Sequence, residues 1–271
     1  MFEKLILKYL RHFPIDTGKG ILEKRIQLPD DNSDFEFTGS NGTRYLLSFQ
    51  DHVMRKIYTM GMYERNTVKQ LIALAKKDMT FVDVGTNIGA YTLNLAPHVK
   101  QCISFEPNPR TLKYLYKNVE LNGYKNVTVV PKGLSDLEEE LDIHIQSLGS
   151  SSFNKHQHLG DSERVSLTTL DLHCERHQVE RVDILKIDVE GHEMKVLLGA
   201  KETLKRNPKM AVVLELDHNT SISGHTKKDY LDFMASEGFQ AYAPKGYPFP
   251  LKKMERIPDD YMDNVVFLKG Y

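Results

Sequence analysis

Short β-prone runs alternate with helical stretches between residues 64 and 243, and this alternation restricts the fold more than any other feature. The runs are FVDVG (81–85), CISFE (102–106), NVTVVP (126–131), VDILKID (182–188), MAVVLELD (210–217), FQAYA (239–243) and, later, VVFLK (265–269). Helical spacing predicts helices over 64–77, from about 89, and over 109–122, 192–206 and 226–237. Strands joined by helical crossovers form a mainly parallel sheet with helices on both faces, because each right-handed crossover lays a helix against it. No helical pattern separates the last two strands, so one of them is expected to be antiparallel. Residues 132–181 read as irregular.

Ahead of this pattern, FEFTGSNGTRYLLSF surrounds Asn41-Gly42, the preferred pair for a tight hairpin turn. MFEKLILKYLRHF has apolar residues interrupted by Glu3, Lys4, Lys8 and Arg11, as in an amphipathic helix and unlike a secretory leader. The expected division is an accessory segment over 1–60 and a main domain over 61–271.

Charge narrows the partners. The chain of 271 residues carries 36 Lys plus Arg against 37 Asp plus Glu, scattered without blocks, which gives no electrostatic grip on nucleic acid or an anionic membrane. No run approaches the roughly 18 apolar residues of an integral membrane segment. Weak peripheral membrane contact through residues 1–13 is a secondary reading. Cys102 and Cys174 lack metal-ligand spacing and are too few for a disulfide framework, so a cytoplasmic protein is expected.

The first strand runs into Asp83-Val84-Gly85-Thr86-Asn87-Ile88-Gly89-Ala90, a glycine loop between strand and helix, the place where open α/β sheets bind ligands. Glu106 follows Asp83 by 23 residues, at the end of the second strand, where an acid bonds ribose hydroxyls. A pyrophosphate cradle would place its second glycine where Asn87 stands. The loop therefore suits an adenosine cofactor without phosphates, and its acids suit S-adenosylmethionine.

The segments FVDVGTNIGAYT, SFEPNP, NVELNGYKNVTVVPKGLSD, TTLDL and DILKIDVEGHE, in this order, resemble the FkbM family of S-adenosylmethionine-dependent methyltransferases over roughly residues 60–217. The resemblance implies an α/β class I methyltransferase (Rossmann-like) fold with a seven-stranded sheet, and O-methylation of a sugar hydroxyl in a glycan, glycolipid or natural product. It implies that Asp83, Gly85, Thr86, Asn87 and Gly89 surround the cofactor's methionine moiety, with Thr92 in the next helical turn. It implies Glu106 on the ribose, with Pro107 and Asn108 shaping that edge, and Ser135 and Asp136 near the adenine. Tyr63-Glu64 resembles a family pair that closes over the cofactor. Asn108 before Pro109 also reads as a helix N-cap, and Ser135 or Asp136 as a turn cap.

In ILKIDVEGHE (184–193) the strand period puts Lys186 and Asp188 on one face. Asp188 is expected to touch cofactor or acceptor, and Lys186 to neutralise it. A sugar hydroxyl needs a base to take its proton. His192 is favoured for its ordinary pKa near 6.5, with Asp188 and Glu190 as close rivals. Glu190 and Glu193 also read as helix caps. No metal is assigned, although Asp188, Glu190, Glu215 and Asp217 are oxygen donors that suit Mg²⁺. His156, His158, His173 and His177 read as dispersed surface histidines.

The stretches 146–162 and 244–263 are expected to be loops over the cleft, with Tyr247, Phe249 and Tyr261 available to stack on a sugar. The partners expected are a small-molecule or glycan acceptor and no nucleic acid, with a homodimer left open. Methylation of nucleic acid or of another small molecule, and cofactor binding without catalysis, are the competing readings.

Overall fold

A computed structural model of the chain describes residues 2–13, 18–29, 33–147, 150–153, 161–217, 220, 224–244 and 250–271. Helices α1 (Phe2–His12) and α2 (Lys19–Glu23) lead into a hairpin of β1 (Phe35–Thr38) and β2 (Arg44–Leu47), then α3 (His52–Met60) and α4 (Arg65–Leu74). The alternating part follows as β3 (Thr80–Val84), α5 (Thr92–Leu95), β4 (Gln101–Phe105), α6 (Pro109–Asn122) and β5 (Val127–Val130). Next come β6 (Gly133–Leu134), β7 (Glu139–Ser147), β8 (Ser150–Ser152), β9 (Asp161–Thr168) and α7 (Leu170–Arg176). The chain continues through β10 (Ile184–Ile187), α8 (Glu193–Leu198), α9 (Lys201–Arg206) and β11 (Met210–Leu216). It closes with α10 (Lys227–Ser236), β12 (Gln240–Ala243), β13 (Lys252–Met254) and β14 (Asp263–Lys269).

The main sheet has the order β13-β12-β14-β11-β10-β3-β4-β5. Strands β5, β4, β3, β10 and β11 are parallel, and β14 is antiparallel to both β11 and β12. This is the class I methyltransferase order with one strand more than the expected seven, because β13 adds to the edge within a segment read as loop. From β3 the chain moves outward to β4, and from β10 it moves the other way to β11. The carboxyl ends of β3 and β10 therefore flank the switch point, the place where such sheets bind ligands.

Successive residues serve opposite layers. Val82, Val84, Leu185 and Ile187 pack with α7 to α10, whereas Phe81, Ile184 and Ala211 pack with Leu71, Val68 and Leu95. Both faces are covered, which explains why β3 and β10 are buried along their whole length.

The described residues between 132 and 181 are not irregular: β6, β9, β7 and β8 form a second, four-stranded sheet. Leu141, Ile143 and Ile145 alternate with Asp142 and His144, and Ile143 and Ile145 pack on Val165 and Leu167. The expected helix 192–206 is two helices. They break at Gly199, where a Cβ would lie 2.0 Å from the Ser135 carbonyl oxygen, so the backbones touch there. The helix expected from residue 89 is confined to Thr92–Leu95, followed by a 3-10 turn containing Pro97, whose missing N–H cannot continue it.

The hairpin expected around Asn41-Gly42 forms and is held by α6. Asn118 Oδ1 accepts from Leu46 N at 2.5 Å, and Asn122 Oδ1 from Arg44 N at 2.9 Å. Tyr45 and Leu47 thereby join Ile57, Ile88 and Leu93 in a buried cluster beside the β3 loop.

Candidate functional site

Two loops meet at the switch point, and glycine is what lets them meet. Gly85 has φ +74°, and a Cβ there would lie 1.8 Å from the Asp188 carbonyl oxygen. Asn87 also adopts the left-handed region, which asparagine tolerates, and Thr86 donates its hydroxyl to the Asp83 carbonyl at 2.8 Å. Gly89, at φ +93°, leaves room for Leu115 and Leu93, to which a Cβ would approach within 3.0 and 3.1 Å. Asp83 Oδ2 accepts from Thr92 N at 3.0 Å and Thr92 Oγ1 at 2.7 Å, so the acid fixes the start of α5. Burial raises the Asp83 carboxyl to about 6, against the pull of those hydrogen bonds.

Glu106 is buried at the end of β4. Its Oε2 accepts from Asn87 N and its Oε1 from Asn108 N, each at 2.9 Å. A carboxylate offers about four acceptor positions, so two hydrogen bonds leave capacity for a vicinal diol. Burial, opposed by those bonds, raises this carboxyl to about 7. The Asn108 side chain accepts from Arg110 N at 3.0 Å as the N-cap of α6, and Pro107 lies half-buried beside it. Asn108→Ala is expected to lower stability by about 1 kcal/mol in denaturant titration. Ligand affinity should hold, because the Glu106 contact comes from the Asn108 backbone; a large loss of affinity would contradict the cap assignment.

Ser135 and Asp136 follow β6. Ser135 Oγ lies 3.0 Å from Asp136 Oδ1 and 3.0 Å from His192 Nε2, and the His192 ring packs on Phe153 with centroids 4.7 Å apart. Burial, then the Lys195 cation, lowers His192 to about 4, so it is neutral at pH 7. Glu193 Oε1 accepts from Val189 N at 3.1 Å and Gly191 N at 3.0 Å, fixing the turn, and burial raises Glu193 to about 7.

The charges of ILKIDVEGHE belong to a larger group built around buried Lys186, with Asp188, Glu64 and Glu215 half-buried about it. Lys186 is 1% exposed; its Nζ lies 3.2 Å from Asp188 Oδ2 and 5.1 Å from the centre of the Tyr91 ring. Burial pulls the Lys186 ammonium down, but Asp188, Glu64 and Glu215 outweigh it and raise it above the usual lysine value. Burial by itself would raise Asp188; Lys186 reverses that and holds it ionised, below the usual carboxylate range. The Asp188 charge, followed by burial, pushes Glu215 far up, so Glu215 keeps its proton and hydrogen-bonds Asp188. Glu64 Oε2 accepts from the Tyr91 hydroxyl and, at 2.8 Å, from Asn264 Nδ2, while burial raises its carboxyl.

Glu190 has φ 53°, which is unusual for a non-glycine residue and is strain of the kind found at functional positions. Burial, then the charges of Asp188, Asp217 and Glu193, raise it to about 7. Beside the cluster a cavity of about 310 Å³ is lined by Met60, Met62, Tyr63, Glu64, Pro244 and Asp263, among others. Among the described residues no group of three or more His, Cys, Asp or Glu is arranged to hold a metal ion.

Asp83, Gly85, Asn87, Glu106, Asp188 and Glu190 thus gather around one switch point, and Ser135, Asp136 and His192 form an adjoining group. Acids line the loops where phosphate-binding sites place cations or free N–H groups, so these acceptors fit a cationic ligand bearing a ribose. Tyr91, Asn264 and Phe153 went unnoticed in the sequence. Tyr91 had a signal, since it lies inside the motif GAYT, whereas Asn264 comes to Glu64 across 200 residues. Tyr247, Phe249, His156 and His158 lie outside the described residues. His173 and His177 are not dispersed: their rings lie 4.4 Å apart at the carboxyl end of α7, and His173 is buried, not on the surface. Tyr261 is half-buried and donates its hydroxyl to the Asn264 carbonyl at 2.9 Å.

The methyltransferase FkbM domain family matches residues 83–241 of the chain. Among curated relatives, a hexuronic acid methyltransferase, AglP, of Haloferax volcanii is 28% identical over 144 residues, 52% of this chain and 58% of that protein. Methyltransferase 1 of Beauveria bassiana is 27% identical, over 66% of this chain and 76% of that protein. The 2-O-methyltransferase NoeI of Sinorhizobium fredii is 26% identical, over 51% of this chain and 64% of its own length. The chain thus spans 58% of the length of the first of these relatives.

Proposed function

The chain belongs to the FkbM methyltransferase family, and from that premise we propose that it transfers a methyl group from S-adenosylmethionine to a sugar hydroxyl of a glycan, glycolipid or glycosylated small molecule. The observation that carries the reading is the meeting of the Gly85 and Asp188 loops at the switch point, with buried Glu106 presenting spare acceptor positions. The sugar class is supported by the relative named as a hexuronic acid methyltransferase, and transfer to an oxygen by the one named as a 2-O-methyltransferase.

Glu106 would hold the ribose hydroxyls, and the Gly85–Gly89 loop with Asp83 and Thr92 would face the methionine moiety. Ser135 and Asp136, joined to His192, would meet the adenine. When bound, S-adenosylmethionine supplies an electrophilic methyl group. The residues of this chain align the acceptor and receive its proton, and such alignment contributes a large share of the rate.

For the base, the balance moves from His192 to Glu190. His192 is already engaged with Ser135, and a pKa of about 4 makes it a weak proton acceptor. Asp188 is held ionised by Lys186 and by the Glu215 proton, which weakens it as a base. Glu190 is raised to about 7 by burial and its anionic neighbours, close to the value at which a base operates best at neutral pH. The cavity beside Tyr63 and Asp263 is the expected acceptor entrance.

Incubation with labelled S-adenosylmethionine and a panel of uronic acids, pyranosides and glycolipids, followed by mass spectrometry, should show one added methyl group on a sugar oxygen. Label going only to non-sugar acceptors would refute the sugar class, and label-free acceptors with intact cofactor binding would refute catalysis. Glu106→Ala should weaken cofactor affinity by about 10- to 100-fold in calorimetry, the range for losing hydrogen bonds to a charged group. Unchanged affinity would remove Glu106 from the site.

A further inference from the structure

Two rows of side chains run side by side along α1. Lys4, Lys8 and His12 form one and Leu5, Tyr9 and Phe13 the other, each at the spacing of four that stacks residues on one helix face. All six are exposed, Leu5 to 65%. Tyr9 and Phe13 stack on each other with ring centroids 4.7 Å apart.

The opposite face of α1 already has its partners. Ile6 and Leu10 are buried, and the Arg11 guanidinium lies over the Phe37 and Tyr58 rings at 4.9 and 4.7 Å. The carboxyl end of the helix is held by two cations: Lys19 Nζ donates to the Leu10 and Phe13 carbonyls at 2.6 Å, and Arg65 donates to those of Arg11 and Phe13 at 3.2 and 3.0 Å. The outer rows are not needed for this attachment. Next to α1, Ile21 of α2 is 69% exposed at the rim of a hollow of about 680 Å³, lined also by Ile26, Leu28, Lys24, Arg55 and Lys56.

The even charge of the whole chain conceals this segment. Residues 2–29 hold six Lys plus Arg against three acids, Glu3, Asp16 and Glu23; Arg11 and Lys19 serve the inner attachment, and Lys4, Lys8, Lys24 and Arg25 are exposed. We propose that the outer face of α1, together with the exposed edge of α2, docks the protein on an anionic phospholipid surface. Lys4 and Lys8 beside an aromatic and aliphatic row are what a bilayer interface accepts, phosphates on one side and headgroup-level apolar volume on the other. With 11 residues α1 is about 16 Å long, so it lies in the interface. No described helix is long and apolar enough to cross a membrane. A second copy is a poorer occupant, because the Lys4–Lys8 rows would be brought toward each other. The proposal stands apart from the reading of the cleft and neither needs nor tests methyl transfer.

The test is flotation of the full chain with vesicles of phosphatidylcholine, with and without phosphatidylglycerol. Binding is expected to the mixed vesicles and to weaken with salt. Two variants, Lys4→Glu/Lys8→Glu and Leu5→Ser/Tyr9→Ser/Phe13→Ser, should each lose about tenfold or more in vesicle affinity. Their circular dichroism and cofactor binding should match the unaltered chain. Absence of binding to mixed vesicles, or binding unchanged in both variants, overturns the proposal. So does a dimer that dissociates in the serine variant without any vesicle binding, which would assign the face to a second copy.

Discussion

Glu190→Gln is expected to lower kcat by about 10²–10⁴-fold while leaving cofactor affinity nearly unchanged, the range for removing a positioned base. Glutamine preserves the shape of the loop and cannot take the hydroxyl proton. The unaltered enzyme should show a rate that rises about tenfold per pH unit below pH 7 and levels above it, since only ionised Glu190 accepts a proton and its pKa is about 7. In the glutamine variant that inflection should vanish. If turnover survives Glu190→Gln and is lost in His192→Ala, the base is His192.

Lys186→Met should cost up to about 3–5 kcal/mol of unfolding free energy, because it leaves the half-buried Asp188 carboxylate without its ammonium partner. Adding Asp188→Asn should recover much of that loss, since the apolar and neutral side chains no longer leave a charge stranded. A single variant as stable as the parent in urea titration would show that the pair lies in a wetter place than its burial indicates. The sign with pH follows from Asp188. Its folded pKa is below the ordinary one, so its contribution is present above about pH 4 and is lost as acid protonates it.

The strands of the main sheet were legible because burial on both faces writes continuous apolar runs, as in FVDVG and DILKID. The second sheet was missed for the opposite reason. Its strands are solvated on one face, and the alternation of Leu141, Ile143 and Ile145 adjoins a polar stretch that masked it. The acids of the cleft could be placed by their position after strands. Their division of labour could not, because it depends on which carboxylate lies nearest Lys186 and which is left among anions. Glu193 illustrates this: the sequence offered it as a helix cap, and its side chain instead holds the turn by accepting from Val189 and Gly191.

Strand β14 lies between β11 and β12 and carries Asn264 onto Glu64, the residue just ahead of α4. Synthesis on the ribosome runs from one end, so every other part of the cleft emerges before this contact can exist. Until β14 is made, β11 keeps an open apolar edge, and Glu64 keeps only part of its bonding. A nascent chain is therefore without a finished site and most open to mispairing at that edge. Chains stalled before Asp263 should be cut by protease near β11, and resistance there would show that the sheet closes earlier.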